Sequence, residues 1–239
     1  MDASLYLSMS AMRQNSMNLQ SITNNLANAN TDGFKSDNVA FKQIYLNGKG
    51  SPAIAYTELS STGIDLTSGA LKATGNANDV TVGGNGYFEF TRVDGSKYLS
   101  KTATLMLTGK GVLISSTGDA ISNQKGKSIT LSTNDFMVDK NGNVSEKNGL
   151  RYIPIDKIRV ISVSPSNVSK DKFGQLEARG DSKPKQIESP QIFVGFKESS
   201  NVSSVKEMAR MVQMQRDYEL SSKAFSASKE IQKDSSMIL

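Results

Sequence analysis

Ser21-Ile22-Thr23-Asn24-Asn25-Leu26-Ala27-Asn28-Ala29-Asn30-Thr31-Asp32-Gly33-Phe34-Lys35 closes one kind of structure and opens another. Leading into it, Leu5, Met12, Leu19 and Leu26 recur at seven-residue spacing, and Met9 and Ile22 fill the intermediate rows. That period places all six on one side of an amphipathic helix, with Arg13, Gln14, Asn18, Gln20 and Asn25 opposite. Asp2 stands in or just before the first turn, where a carboxylate favours the positive end of the helix dipole. Asn28, Asn30 and Asp32 then compete with helical hydrogen bonds, and Gly33 can take a positive φ at no steric cost. The helix therefore ends within a residue or two of Ala29. At about 1.5 Å per residue it is a rod of roughly 40 Å.

The other end of the chain, Asn201–Leu239, repeats this logic. Val205, Met208, Met211 and Val212 begin an apolar arc that continues through Tyr218 and Phe225, and Met211, Tyr218 and Phe225 are spaced by seven. Ser204 and Glu207 have capping-box spacing, with Ser200 and Asn201 as alternative caps. Lys223, Lys229 and Lys233 suit the negative end of the dipole, and the apolar Met237, Ile238 and Leu239 call for something to cover them. Two such stripes ordinarily mean two helices buried against each other. Helices this long with Met-rich faces also suit contacts with neighbouring subunits, and the two readings are compatible. The candidate assembly interface is thus Leu5, Met9, Met12, Leu19, Ile22 and Leu26 with Val205, Met208, Met211, Val212, Tyr218 and Phe225.

Composition excludes much chemistry. The 239 residues contain no Cys, His or Trp, so no thiol nucleophile, imidazole base, disulfide or Cys/His zinc site can form. We expect no catalytic residue, no metal site and no cofactor. The net charge of +5 is dispersed, and the longest basic cluster, Lys183–Lys185, is interrupted by Pro184. Nucleic acid is therefore not an expected partner. No stretch has the apolar length of a membrane span, and the N-terminal residues lack the pattern of a cleaved signal peptide.

Between the helices, Phe34–Gly75 is rich in Ser, Thr, Asn and Gly with isolated apolar anchors, which predicts extended connecting chain. From Asn76 the pattern is β. Val80, Val82, Phe88 and Phe90 bracket Gly83-Gly84-Asn85-Gly86 as a hairpin would. Further strands are predicted at 97–107, 111–115, 128–131, 136–138, 143–145, 158–164, 175–178 and 191–196. The expected fold class is α+β, with N- and C-terminal amphipathic helices paired as a coiled-coil-like domain and a central all-β module. The domain layout is 1–33 with 200–239 as the assembly domain, 34–75 as connector and 76–199 as the β domain.

Apparent site motifs in the middle fail. Gly126-Lys127-Ser128 resembles the end of a phosphate loop, but Ile121 stands where its first Gly is required. Gly84 and Gly86 begin a dinucleotide pattern that lacks its third Gly. Asp139, Asn141 and Asn143 alternate like a calcium loop, yet Val144 replaces the turn Gly and Leu150 the final Glu. Asn141-Gly142 is better read as a type I′ hairpin turn. The penicillin-recognising fragments Ser226-x-x-Lys229 and Ser36-Asp37-Asn38 occur in reversed order, without Lys-Thr-Gly.

The Asn24-Asn25-Leu26-Ala27-Asn28 run followed by Thr31-Asp32-Gly33-Phe34-Lys35 resembles the N-terminal signature of bacterial flagellar rod and hook proteins. Ser200-Asn201-Val202, Val205-Lys206-Glu207-Met208, Met211-Val212 and Gln215-Arg216-Asp217-Tyr218-Glu219 resemble the matching C-terminal signature, departing from it at Lys206. Gly69-Ala70-Leu71 and Asn85-Gly86-Tyr87-Phe88 are similar to the family's entry into its β domain, while about Lys110–Pro190 matches loosely. Asn28, Thr31, Gly33 and Phe34 form the turn motif. Length and a compact centre are most similar to the proximal rod protein, with the distal rod protein or a hook-family subunit as alternatives. The resemblance implies a structural subunit that stacks helically into the drive shaft of the basal body through its terminal helices. Its partners would be other copies of itself, other rod proteins and the flagellar type III export apparatus. Its place would be the periplasmic part of the basal body, reached without a cleaved signal. An alternative of another class is a secreted surface- or carbohydrate-binding β module on a helical stalk. A carboxylate enzyme using Asp119 or Asp139 ranks last.

Overall fold

The computed structural model describes residues 3–46, 54–179 and 184–237, with side chains over 7–42, 63–179 and 184–231. The elements run α1 (Ala3–Ala27), β1 (Asp37–Leu46), β2 (Ile54–Ile64), β3 (Leu71–Ala73), β4 (Asp79–Val82), β5 (Gly86–Thr91) and β6 (Lys97–Ser100). Next come β7 (Thr102–Leu107), β8 (Leu113–Ser115), β9 (Ala120–Ile121), β10 (Phe136–Val138), β11 (Asn143–Asn148) and β12 (Arg151–Lys157). The chain continues through β13 (Val160–Ser162), β14 (Val168–Lys170), β15 (Leu176–Ala178), β16 (Lys185–Gln186), β17 (Ile192–Val194) and β18 (Phe196–Glu198) to α2 (Ser204–Met237). The class is α+β: two terminal helices and a large β-rich body.

Contacts divide the chain into two compact units, one of Met1–Asn30, Lys35–Asp65 and Val202–Leu239, the other of Thr31–Phe34 and Leu66–Asn201. In the helical unit α1 ends where the Asn-rich turn predicts. Asn28 N–H still reaches the Asn24 and Asn25 carbonyls at 3.2 Å, and its side chain bonds the Asn24 carbonyl at 2.9 Å, competing for the last turn's acceptors. α2 starts at Ser204, but the cap lies one residue earlier than the predicted capping box. Glu207 N–H donates to the Ser203 carbonyl at 2.9 Å, the first intrahelical bond. β1 and β2, in the stretch expected as extended chain, pair antiparallel over Asp37↔Ile64 to Leu46↔Ile54, with an irregularity at Ala40/Phe41. Both strands also contact α1.

The β body is built on an eleven-stranded antiparallel sheet in the order β14-β15-β6-β5-β9-β8-β7-β4-β17, with β13 added on β5 and β16 on β13. A three-stranded sheet β10-β11-β12 and the β18-β3 pair complete it. Its core is Val80, Val82, Phe88, Phe90, Tyr98, Leu105, Leu113, Ile121, Ile129, Val144, Ile158, Val160 and Ile192 with their neighbours. Removing this much aliphatic and aromatic surface from water drives the unit's folding.

Four local expectations change. The Gly83–Gly86 turn does not join a hairpin: β4 pairs with β7 and β17, whereas β5 pairs with β6, β9 and β13. Donors at the end of β4 are taken by other segments, Val82 N–H by the Lys101 carbonyl and Gly83 N–H by the Gln191 carbonyl. The predicted strand 97–107 is broken at buried Lys101, which bonds the Gly84 carbonyl. Residues 191–196 are broken at Gly195 (φ +81°). Segment 128–131 makes only isolated bridges while burying Ile129 and Leu131.

Asn141-Gly142 is not a type I′ turn, because no described non-Gly residue has positive φ. Instead Gly142 alone is left-handed (φ +85°), Gly142 N–H reaches the Asp139 carbonyl, and Asp139 N–H reaches the Asn143 carbonyl. The result is a type I turn closed by a glycine bulge. The same closure recurs at 92–96, 108–112, 115–119, 123–127 and 171–175. At 123, 139 and 171 an Asn or Asp oxygen accepts two following amides, pre-forming the bend.

Candidate assembly interface and turn motif

α1 and α2 share one unit and are bridged by Asn15 Nδ2 donating to Ser221 Oγ at 3.3 Å. At 3.6 residues per turn, Ser221 lies on the same side of α2 as Met211, Met214 and Phe225, all of them half-buried. Val205, Met208 and Val212 lie roughly opposite and are 80 %, 53 % and 49 % exposed. The single arc read from the sequence is therefore two faces, one turned to α1 and one exposed among the described residues. Tyr218 lies on the same side as Met211 and Phe225, between them in angle, yet is 41 % exposed.

On α1, Met12, Leu19 and Leu26 are half-buried and Ile22 is buried. Met9 departs from the predicted stripe. It aligns with exposed Arg13, Ser16 and Gln20 and is 52 % exposed. Leu5 is within α1, but its side chain lies outside the described residues.

Asn25, assigned by periodicity to the polar side, is buried at 1 %. Its Nδ2 donates to the Asp37 carbonyl at 3.0 Å and its Oδ1 accepts Asp37 N–H at 2.8 Å. Asn25 thereby acts as a strand neighbour to the first residue of β1. Asn24 Nδ2 adds a bond to Asp37 Oδ2 at 2.5 Å. Because β1 and β2 also lie on α1, its burial follows three neighbours and not the apolar period alone.

In the turn motif, Gly33 is left-handed (φ +73°), donates to the Glu198 carbonyl at 2.7 Å, and leaves 3.0 Å between a notional Cβ and Thr102 Cγ2. Phe34 is buried beneath the Lys170 ammonium, 3.9 Å from its ring centroid, and its carbonyl accepts Asn201 N–H at 3.3 Å. Thr31, itself exposed, accepts Phe34 N–H at 3.2 Å through its carbonyl. Lys197 Nζ stands 3.4 Å from Asp32 and 3.6 Å from Asp79. Burial opposes ionisation of Asp79, but hydrogen bonds from Thr104 and Thr74 and the Lys197 charge outweigh it and hold the carboxyl below its ordinary value. Among the described residues no three acids group as a metal site, and no helix is long and apolar enough to cross a membrane.

Both ends of the chain match family models: residues 5–35 that of the flagella basal body rod protein, and residues 194–237 that of the flagellar basal body rod FlgEFG protein C-terminal. These segments hold most of α1 with the turn motif, and β18 with α2. The chain is 27 % identical to the flagellar basal-body rod protein FlgG of Bacillus subtilis, over 95 % of this chain and 96 % of that one. It is 26 % identical to the flagellar basal-body rod protein FlgF of Caulobacter vibrioides (92 % and 90 %) and 25 % to FlgF of Escherichia coli (95 % and 94 %). Two matched termini and near full-length relatives of both names agree with the motifs around Gly33 and α2: the chain is similar at both ends and along nearly its whole length to the flagellar basal-body rod proteins.

Proposed function

We propose that this chain is a non-enzymatic structural subunit of the flagellar basal-body rod, assembled helically through its two terminal helices. The observation that carries this reading is the exposed apolar face of α2, Val205, Met208 and Val212, on a helix that already turns its other face to α1. A second α1–α2 pair laid on that face would bury it, giving a coiled-coil-like inner layer made by 1–33 and 200–239. A face that meets a different face on the next copy propagates as a helix where the rotation between copies does not close into a ring. The names of the relatives support the rod as the assembly. The partners are other copies and other rod proteins, delivery is by the flagellar type III apparatus, and the place is the periplasmic stretch of the basal body. Of the two rod tiers we favour the proximal one, with the distal one as the alternative.

Val205→Asp with Val212→Asp tests this. Both sites are exposed in the single chain, so the variant should fold with unchanged thermal stability yet form no rod and restore no motility to cells lacking the protein. Normal motility would sink the reading. Labelling of the assembled basal body then separates a proximal from a distal tier.

A further inference from the structure

Residues 31–34, 66–70 and 199–201 are the stretches by which the chain enters and leaves the β body, and all three gather on one residue. Glu198, the last residue of β18, is buried at 2 %. Its backbone pairs with Leu71, its carbonyl accepts Gly33 N–H at 2.7 Å, and its Oε1 accepts Gly69 N–H at 3.0 Å. Adjacent residues extend the lacing. Ser199 N–H donates to the Ala70 carbonyl at 2.9 Å, Asn201 N–H to the Phe34 carbonyl at 3.3 Å, and Asn201 Nδ2 to the Thr67 carbonyl at 3.2 Å. The crossing is so close that a Cβ on Gly69 would lie 1.9 Å from the Ser199 carbonyl oxygen. None of these residues belongs to the hydrophobic core of the β body.

We propose that Glu198 is a clasp, a positioning residue that binds these three stretches into one cooperative neck, opening and closing without unfolding the β core. A carboxylate accepting a backbone amide makes a charge-assisted bond, and the half-buried Gly69 amide that loses it loses its protection from exchange. Cooperative local units of this kind are read by amide exchange. The proposal goes beyond the assembly role and does not depend on it, since it concerns a single chain.

Amide hydrogen exchange on the full-length chain tests it. In Glu198→Ala, Gly33, Gly69, Ser199 and Asn201 should lose protection together by roughly ten- to a hundred-fold, while Leu105, Leu113 and Ile192 keep theirs. Glu198→Gln retains an acceptor Oε1 and should preserve most of the protection. Gly69→Ala, which forces Ser199 away, should open the same four amides. The clasp is overturned by exchange rising at Gly69 alone, by core amides opening in step, by Glu198→Gln behaving like Glu198→Ala, or by failure of Glu198→Ala to fold.

Discussion

Replacing Asn25 by Ala should unfasten the end of α1 from β1. The side chain is 1 % exposed and makes two bonds, at 3.0 and 2.8 Å, to the carbonyl and amide of Asp37. Truncation leaves a partly buried donor and acceptor without partners, each costing about 1–3 kcal/mol, so the expected loss is about 2–6 kcal/mol. Asn25→Asp should be at least as damaging. It keeps an acceptor for Asp37 N–H but turns an oxygen toward the Asp37 carbonyl and adds charge beside the Asp37 carboxylate. The assay is native-state hydrogen exchange of the Asp37 amide and of the peptide covering the last turns of α1, with Leu113 as the β-body reference. If Asn25→Ala changes the opening free energy of Asp37 by less than about 0.5 kcal/mol, these bonds are not what joins the helix to the strand. If Asn25→Asp is neutral at pH 7, the donor half of the pair does not matter.

Gly33→Ala should cost about 1–2 kcal/mol for the left-handed backbone alone, plus displacement of Thr102, and thermal unfolding against wild type would show it. The β body should lose stability in acid. Asp79 and Asp139 are both held below the ordinary 3.8, Asp79 as described and Asp139 because bonds from Asn143, Asn141 and Gly142 outweigh burial. A depressed carboxyl contributes stability that is whole above its unfolded value and lost as pH falls through the folded one. Denaturant midpoints should therefore fall below about pH 4, and Thr104→Val, which removes a hydrogen bond to Asp79, should weaken that dependence. A midpoint flat from pH 6 to 2 would contradict the assignment.

The bends at 123, 139 and 171 carry a local signal: Asn or Asp followed three residues later by Gly marks the bend by side-chain chemistry alone. Strand partners carry no such mark. Val80, Val82, Phe88 and Phe90 alternate as a hairpin would, yet the two strands do not pair with each other: β4 lies between β17 and β7, while β5 pairs with β13, β6 and β9.

What the amino-acid order determined by itself is the local layer: where α1 stops, that Gly33 must be glycine, that the centre is β, and which signature the ends carry. Those follow from backbone preferences and side chains acting over a few residues. Which side of each helix is covered was decided by tertiary structure. Periodicity put Asn25 outside and Met9 inside, and it merged Val205, Met208 and Val212 with Met211 and Phe225. The fold reverses the first two assignments and divides the third, because burial depends on which neighbours arrive, and here β1, β2 and α2 all lie on α1.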